Sequence, residues 1–430
     1  MFSTSAKPGL SFIPPDVLAV MDRISRAGFD VWLVGGALRD FLLGIAPHDW
    51  DLATSASSAD IVSLFPSVIP VGIKHGTVQV HTRTRDIEVT SFAPGGETGI
   101  LNDLGRRDFT LNSIALSYPG GELLDPNGGR QDLSAGLIKG VKDPCARFLE
   151  DPLRIIRGAR ISAVYGFRID PATFTAMKKC GAKLETVSGE RIREEVLKIL
   201  ASKDPALAFV ALQKTFALQR ILPFLDRPGD VSCQTGAGTS PFEQTVNCIK
   251  HCPDRTRLRL AALFCKAADS NRASAQVAGK TLKSWNMSKR LIAEVATIVE
   301  RRIGGEAFAW SDERIRGFIT EVGPDLLEDI IALCEAGMLS DRAPSEAQKE
   351  KLERFRSNVK TQLGLMSAFS VRELALGGKD IVKILGIAPG PEVGKVLKAL
   401  FALVQKDPGL NTRQSLTRIV EQKYKNPDKA

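Results

Sequence analysis

The chain has 430 residues, and at roughly 150 residues per domain this length predicts two to four domains. Hydrophobic residues make up 43% and charged residues 25% of the sequence, so the composition excludes a wholly disordered chain, a collagen-like chain and a coiled-coil rod. Lysine and arginine outnumber aspartate and glutamate to give a formal net charge of +9, which favours a polyanionic partner such as nucleic acid without requiring one.

The sequence favours a cytoplasmic protein. No run approaches ~18 consecutive apolar residues, so we expect no membrane-spanning segment. The first residues lack the continuous apolar core of a secretory signal. The seven cysteines are odd in number and widely scattered, unlike the disulfide framework of a small secreted protein. A reducing cytosol is therefore the simpler location.

The first 130 residues have the pattern of an α/β domain. Short runs of alternating or continuous apolar residues predict strands, and apolar residues at helical spacing lie between them. In chain order, we predict a helix over Pro15–Ala27, a strand over Asp30–Val34, a helix over Ala37–Leu43, a strand over Asp49–Ala53, a helix over Ser58–Phe65, strands over Val78–His81 and Asp86–Ser91, and further sheet segments over Arg106–Leu116 and Glu122–Asp125.

Helical periodicity replaces the strand signals from Ala146 onward, and a loop is predicted at Arg227–Ser240. We therefore predict an α+β fold, in which a small mixed-sheet head is followed by an all-helical neck, body and tail. The predicted boundaries are 1–130 for the catalytic head, 131–200 for the neck, 201–300 for the body and 301–430 for the tail.

A segment suited to phosphate follows the first predicted strand. Gly35 and Gly36 lie where the strand meets the next helix, so their backbone N–H groups can cradle phosphate oxygens at the positive end of the helix dipole. Arg39, one turn into that helix, is placed for a bidentate phosphate contact. Asp49 and Asp51 are two residues apart on a predicted strand and share one face. Two such carboxylates suit Mg²⁺, which could activate a hydroxyl and stabilise a leaving pyrophosphate.

The run from Gly35 to Gly44, followed by His48–Asp51, resembles the first motif of the class II tRNA nucleotidyltransferase and bacterial poly(A) polymerase superfamily. Later segments resemble further motifs of that family in the same order. They are Arg106–Asn112 (RRDFTLN), Asp125–Arg130 (DPNGGR), Glu150–Arg154 (EDPLR), and Glu190-Arg191 with Glu195. The resemblance is strong over about residues 15–200 and implies a Mg²⁺-dependent enzyme that acts on tRNA.

The resemblance also implies how a nucleotide is held. Arg107, Asp108 and Asn112 belong to the motif that contacts the ribose, and Asp151 with Arg154 belongs to the motif that reads the incoming base. On a predicted helix, Asp151 and Arg154 project together, and a carboxylate beside a guanidinium can hydrogen-bond a base edge. Without the resemblance, a surface salt bridge is the commoner outcome for such a pair. The neck motif at Glu190, Arg191 and Glu195 is expected to brace this reading site.

Three more residues extend the predicted site. Arg157 and Arg160 follow on the same helix and face either the triphosphate or the core boundary. Glu88 is the best candidate for a third catalytic carboxylate, because Ile87 and Val89 beside it point to the other face of their strand. A solvent-facing glutamate is an equally good interpretation of Glu88.

The segment between Glu88 and Arg106 is short. Full CCA-adding members of the family carry a long flexible loop there, whereas this chain has 17 residues, Val89–Gly105. In the family this loop helps base reading to switch from CTP to ATP, and CC-adding members lack it. The resemblance therefore favours addition of two cytidines, with full CCA addition by a shorter working loop as the alternative.

Residues 241–266 resemble an HD phosphohydrolase-like helical segment found in some family members. Gln244 stands where that pattern has His, and Cys265-Lys266 stands where it has His-Asp, so we expect neither an HD-type metal site nor phosphohydrolase activity. The run Cys248–Cys252 carries a Cys-x-x-His-Cys pattern at helical spacing. Because no further ligand pair lies nearby in sequence, ordinary helix packing is favoured over zinc.

The last part of the chain resembles the helical tail domain that clasps the tRNA elbow in this family. Lys379, Lys383, Lys395 and Lys398 fall at two predicted helix starts and would contact phosphates, which position a nucleic acid without reading its sequence. A plain helix–helix junction explains the same glycine-rich turns.

The sequence thus predicts transfer of CMP, and in the alternative also AMP, from CTP or ATP to the tRNA 3′-hydroxyl with release of pyrophosphate. Positioning and electrostatics supply most of the rate in such phosphoryl transfers. A poly(A) polymerase ranks lower because no long basic tail follows the tail segment. A non-catalytic RNA-binding protein is also disfavoured, because such a protein has no need for the clustered carboxylates. An HD-type hydrolase is weaker still, because its ligands are missing.

Overall fold

The computed structural model describes residues 9–72, 76–92, 97–226, 240–341 and 344–425. The predicted loop at Arg227–Ser240 lies outside this part of the chain except for Ser240. The chain divides into two compact units, Met1–Asp226 and Arg227–Ala430.

The first unit begins with the predicted mixed sheet and its helices. The elements are α1 (Pro15–Arg26), β1 (Val31–Val34), α2 (Gly36–Leu42), β2 (Trp50–Thr54), α3 (Ser58–Leu64), β3 (Val68–Gly72), β4 (Thr77–His81), β5 (Asp86–Ser91), α4 (Glu97–Gly105), a 3₁₀ turn (Thr110–Asn112), β6 (Ala115–Tyr118), β7 (Leu123–Leu124) and α5 (Gly129–Ser134).

The sheet of the described residues has the order β3-β4-β5-β2-β1-β6-β7. Strands β2 and β5 pair in parallel, with Asp51 opposite Glu88, and the other neighbouring strands pair antiparallel. Helix α1 packs its apolar stripe against one face in a core that includes Leu33 and Leu52. On the other face, Ile100 and Leu104 of α4 pack in a smaller cluster. Because side chains alternate along a strand, Asp51 and Glu88 lie on the face that α4 covers.

The remainder of the first unit is mainly helical. Its elements are β8 (Leu137–Ile138), α6 (Pro144–Glu150), α7 (Leu153–Tyr165), β9 (Arg168–Ile169), α8 (Pro171–Cys180), a 3₁₀ helix (Gly181–Thr186), α9 (Gly189–Leu200), α10 (Pro205–Lys214), α11 (Leu218–Ile221) and a 3₁₀ turn (Pro223–Leu225). Strands β8 and β9 form a short parallel pair.

The described elements of the second unit are all helical. They are α12 (Pro241–His251), α13 (Thr256–Phe264), α14 (Asn271–Ser284), α15 (Lys289–Glu300), a 3₁₀ helix (Gly305–Ala309), α16 (Asp312–Val322), α17 (Pro324–Asp341), α18 (Glu346–Leu365), a 3₁₀ turn (Val371–Glu373), α19 (Gly378–Leu385), α20 (Pro391–Lys406), a 3₁₀ turn (Pro408–Leu410), α21 (Arg413–Val420) and a π-helical turn (Glu421–Lys425). Within the described ranges, none of the helices is long and apolar enough to cross a membrane.

The predicted α+β class is confirmed, with four differences in detail. Of the sheet segment predicted over Arg106–Leu116, only Ala115 and Leu116 lie in a strand, β6, and Thr110–Asn112 form a 3₁₀ turn. The segment Val89–Gly105, expected to be a shortened loop, ends in helix α4, whose Ile100 and Leu104 are fully buried. Strand β3 was not predicted, because Pro70 interrupts its short apolar run. The neck contains the β8–β9 pair, so this part of the chain is not wholly helical.

Candidate active site

A cavity of about 1120 Å³ opens in the first unit on the α4 side of the sheet. Its walls come from the β1–α2 turn, strands β2 and β5, helix α4, the segment that follows it, and helices α7 and α9. Every catalytic and nucleotide-binding residue predicted from the sequence lines this cavity: Gly35, Gly36, Arg39, Asp49, Asp51, Glu88, Arg107, Asp108, Asn112, Asp151, Arg154, Arg157 and Arg160.

The Gly35-Gly36 turn brings the backbone against a carboxylate. Gly35 has a φ of 74°, and a Cβ added there would lie 2.7 Å from Oδ2 of Asp51. The Gly36 N–H donates a hydrogen bond to the Asp51 carboxylate. Position 35 therefore requires glycine both for its left-handed backbone and for the close approach of Asp51.

Asp51 and Glu88 form an acidic pair across the parallel strands β2 and β5, and Asp49 immediately precedes β2. Burial raises the pKa of Asp51, and the nearby Asp49 adds to this effect while Arg107 opposes it. Desolvation in the cleft also raises the pKa of Glu88, with a further contribution from Asp51. Burial is the largest cause of both shifts, and repulsion among the neighbouring carboxylates adds to it. A cation bound between them would therefore stabilise their charged forms. In the described part of the chain, no three His, Cys, Asp or Glu side chains form a ready metal-binding group.

Arg39 lines the cavity and is held in place by several protein groups. Its guanidinium donates to Oδ1 of Asp40 through Nε at 3.0 Å and through Nη2 at 2.8 Å. It also donates to Oη of Tyr165 at 2.6 Å and to Oδ1 of Asn112 at 2.7 Å. These bonds occupy most of its five N–H donors. The bidentate phosphate contact predicted for Arg39 stays a prediction, and the structure adds that Arg39 holds Asn112.

Asp108 is the buried centre of the next set of contacts. Its carboxylate accepts from Nε of Arg157 at 2.8 Å, from Nδ2 of Asn112 at 3.0 Å and from the backbone N–H of Phe109 at 2.8 Å. Burial alone would raise the pKa of Asp108, but the charge of Arg157 and these hydrogen bonds outweigh it and hold the pKa well below its usual range. The same attraction raises the pKa of Arg157. Asp108 thus fixes Arg157 and Asn112, and it remains ionised.

Asp151 and Arg154 lie at a break between two helices, and the prediction that they share one helix was wrong. Asp151 is the C-cap of α6 with an extended backbone (φ −145°, ψ 98°), and α7 begins at Leu153. Pro152 explains the break, because the residue before a proline is disfavoured in the helical conformation. Both side chains nevertheless line the cavity.

Helix α9 braces these residues, as the neck motif implied. Arg191 donates from its two terminal nitrogens to the two oxygens of Asp151, at 3.2 Å and 2.9 Å. Four residues further along, Glu195 is buried and accepts from Nε of Arg160 at 2.7 Å. By contrast, Arg154 makes two long contacts, to the Arg147 carbonyl at 3.3 Å and to Glu150 at 3.5 Å. Its guanidinium is thus weakly held and faces the cavity.

Two further residues, Lys198 and Asn102, line the cavity and were not predicted from the sequence. Lys198 had a signal, since it lies seven residues after Arg191 and therefore on the same face of α9. Asn102 carries no such signal, because its segment, α4, has the sequence pattern of a loop.

In the second unit, the four predicted RNA-binding lysines are exposed on α19 and α20: Lys379, Lys383, Lys395 and Lys398. Lys395 pairs with Glu392 at 2.7 Å.

A separate cavity of about 250 Å³ is lined by Gln244, Cys265 and Lys266, the three residues at the HD-like positions. The absence of phosphohydrolase activity stays a prediction.

A mixed sheet that carries paired strand carboxylates beside a Gly-Gly turn defines a nucleotidyltransferase head. The family model of the poly A polymerase head domain matches residues 31–139, and that of a probable RNA and SrmB-binding site of polymerase A matches residues 166–227.

The similarity extends over nearly the whole chain. The CCA-adding enzyme of Limosilactobacillus fermentum is 31% identical over 414 residues, which cover 93% of this chain and 94% of the relative. The CCA-adding enzyme of Geobacillus stearothermophilus is 30% identical over 407 residues, covering 91% and 93%. A crystal structure of the Bacillus stearothermophilus CCA-adding enzyme in complex with CTP matches with a TM-score of 0.74 and 26% identity, covering 99% of this chain and 100% of that one. The chain belongs to the CCA-adding enzyme family, the class II tRNA nucleotidyltransferases, and the predicted resemblance is confirmed.

Proposed function

We propose that this tRNA nucleotidyltransferase transfers CMP from CTP to the tRNA 3′-hydroxyl, releases pyrophosphate, and stops after the second cytidine. The observation that carries the proposal is the convergence of strand carboxylates, guanidinium groups and the Asp151–Arg154 pair in one cavity. The stop after two cytidines rests on the short Val89–Gly105 segment. We further propose that the enzyme acts in the cytoplasm.

The carboxylates fit Mg²⁺. Asp49 and Asp51 offer hard oxygen ligands beside a large polar cavity, and Mg²⁺ typically takes one or two protein carboxylates and completes its shell with water and phosphate oxygens. When bound, the metal would supply charge stabilisation for the attacking and leaving oxygens. Glu88, opposite Asp51, is proposed as the third carboxylate of the site and keeps the local potential negative.

Cationic side chains on the facing wall are proposed to hold the triphosphate. Arg157 is oriented by Asp108 at 2.8 Å, and Arg107 is held by Asp103 at 3.1 Å, so both reach the cavity with restricted geometry. Arg160 is restrained in the same way by Glu195. Preorganised charges of this kind favour the transition state because they need not reorganise during the reaction.

Asp151 and Arg154 are proposed to contact the edge of the incoming base. The two oxygens of Asp151 keep lone pairs beyond those that Arg191 uses, so the carboxylate can accept from the exocyclic amino group of cytosine. Arg154 can donate to a ring nitrogen or carbonyl. Adenine also presents an amino donor beside a ring acceptor, so this pair alone does not separate CTP from ATP.

Discrimination is therefore proposed to depend on the segment between β5 and the ribose motif. Helix α4 occupies residues Glu97–Gly105, and its Ile100 and Leu104 are anchored in the core. This anchoring leaves few residues that could rearrange the base-reading pair for ATP. Full CCA addition is the second candidate, and the CCA-adding activity in the names of the relatives favours it.

The test uses purified enzyme, Mg²⁺ and tRNA transcripts that end before CCA, with CTP alone, ATP alone or both, followed by sequencing of the 3′ ends. Products that stop at CC with both nucleotides present support the proposal. Products that end in CCA would show that the short segment suffices for the switch to ATP. Long adenosine tracts from ATP alone would make the protein a poly(A) polymerase.

We also propose that the chain is divided at residues 130, 200 and 300 into the head, neck, body and tail. The tail lysines Lys379, Lys383, Lys395 and Lys398 are proposed to contact tRNA phosphates. All four lysines are exposed, as phosphate-contacting residues must be.

A glycine substitution tests the role of the tight turn. Gly35→Ala is expected to lower CMP incorporation by on the order of 100-fold, because the new Cβ would displace Asp51 and small displacements of catalytic groups are costly. Gly166→Ala is the matched control: its φ of 71° is nearly that of Gly35, but no atom lies within 4 Å of the added Cβ. Gly166→Ala should lose about 1 kcal/mol of stability, because Gly166 is in the left-handed helical conformation with ψ 19°. Gly35→Ala should lose more, because Gly35 has a ψ of −140°, a combination that only glycine adopts readily, and because the added Cβ meets Asp51. Equal activity of the two variants would remove the proposed role of the turn.

A further inference from the structure

Two cysteines of the first unit are in direct contact. The Sγ atoms of Cys145 and Cys180 are 3.0 Å apart, closer than two non-bonded sulfurs normally rest and roughly 1 Å longer than a disulfide bond. Cys145 is partly exposed and Cys180 is buried. Helices α6 and α8, which carry them, pack against one another. The two thiols thus have the proximity that disulfide formation requires.

We propose that Cys145 and Cys180 form a peroxide-sensitive dithiol that closes into a disulfide. Cys145 is the thiol that meets the oxidant, because it is accessible and Cys180 is not. The proposal does not depend on which nucleotides the enzyme adds.

The chemistry is a two-electron oxidation with hydrogen peroxide as the oxidant. The Cys145 thiol attacks one peroxide oxygen, the O–O bond breaks, and Cys145 sulfenic acid and one water form. The Cys180 sulfur then attacks the Cys145 sulfur, the S–O bond breaks, and the disulfide and a second water form. In sum, two thiols and one peroxide give one disulfide and two waters. Burial raises the pKa of the Cys180 thiol, which is consistent with its acting second.

The position of the pair gives the modification a structural consequence. Cys145 lies in the first turn of α6, and that helix ends at the cap residue Asp151. Cys180 is the last residue of α8. The disulfide would join these two helices and restrain the helix that carries Asp151 into the cavity. Cytosolic disulfides are typically transient and redox-sensing.

The test maps the bond chemically in the full chain. Reduced protein is treated with stoichiometric hydrogen peroxide, alkylated and digested with trypsin, which cuts after lysine and arginine. Cys145 then lies in the peptide Asp143–Arg147 and Cys180 in Cys180–Lys183. We expect these two peptides to appear joined, with the loss of two hydrogens, and to separate again after dithiothreitol.

Two variants establish the order of events. In Cys180→Ser, Cys145 sulfenic acid should accumulate and take up the trapping reagent dimedone on Asp143–Arg147. In Cys145→Ser, the peptide Cys180–Lys183 should stay unlabelled. Serine is close in size to cysteine, so both chains are expected to fold, and a matching circular dichroism spectrum checks this.

The second unit supplies an internal comparison. The Cys248 side chain contacts both Cys252 and Cys265, so a general oxidation of neighbouring thiols would join these residues as well. Oxidation there with Cys145 and Cys180 still separately alkylated would overturn the proposal. Dimedone labelling of Cys180 in place of Cys145 would overturn the assigned order.

Discussion

Asp51→Asn is expected to lower the rate of CMP incorporation into tRNA by on the order of 1000-fold while leaving the fold intact. Asn has the same shape, so the hydrogen bond from the Gly36 N–H can persist. The substitution removes a charged ligand proposed for Mg²⁺, and metal stabilisation of a phosphoryl-transfer transition state is worth several kcal/mol, or about tenfold per 1.36 kcal/mol. Single-turnover incorporation with CTP and Mg²⁺ measures the loss.

The same variant is expected to keep or increase its thermal stability, although it loses activity. Burial raises the pKa of Asp51, so at neutral pH its charged form costs stability, and a neutral amide removes this cost. We expect a melting temperature equal to or above that of the wild type. Asp30→Asn is the control, because Asp30 is exposed and lies just before the first residue of β1. The Gly35-Gly36 turn beside Asp51 follows the other end of that strand. Near-normal activity of Asp51→Asn would refute the metal assignment, and a large drop in melting temperature would refute the charge argument.

Asp108→Asn is expected to destabilise the first unit by about 2–4 kcal/mol at neutral pH. The amide would turn an N–H group toward Nε of Arg157, which now donates to Oδ2 at 2.8 Å. Breaking one partner of a buried pair costs about 3–5 kcal/mol, and the partial exposure of Arg157 reduces that figure. Denaturant unfolding of wild type and variant measures the difference in the free energy of unfolding.

The pH dependence of that difference follows from the depressed pKa of Asp108. A carboxyl whose pKa is lower in the folded state stabilises the fold above its unfolded pKa of about 3.9, and this contribution is lost as the pH falls toward the folded value. The gap between wild type and Asp108→Asn should therefore narrow below about pH 4. Asp103→Asn removes a carboxylate that is more exposed than Asp108, 19% against 7%, from its pair with Arg107 and should cost less than about 1 kcal/mol. A gap that is independent of pH would contradict the role of the Asp108 charge.

The elements that the sequence predicts well are those with strong local patterns. The strand at Asp86–Ser91 has the predicted bounds, because β-branched residues alternate with polar ones. The Gly-Gly turn follows the predicted strand, because glycine marks the left-handed conformation at Gly35. The break at Asp151 was also within reach of the sequence, since Pro152 disfavours a helix there.

Contacts between distant parts of the chain were out of reach. The hydrogen bonds of Arg39 include one to Tyr165, which lies 126 residues later in the chain. The sequence around Arg39 gives no sign of that partner. Helix α4 was missed because glycine, asparagine and aspartate make up four of its nine residues, although Ile100 and Leu104 bury one face. In both cases tertiary packing decides a structure that local propensity leaves open.

The sheet order places β2 in the middle, with three strands of the described sheet on either side. Fluctuations that expose backbone amides to exchange begin where a structure is least stable, at frayed ends and weakly packed edges. Any such opening from β3 or β7 must cross three strand pairings before it reaches Asp51. We therefore expect the amides of β2, which carries Asp51, to exchange with solvent more slowly than those of the other strands. The geometry of the site is then preserved while the edge strands β3 and β7 open and close locally.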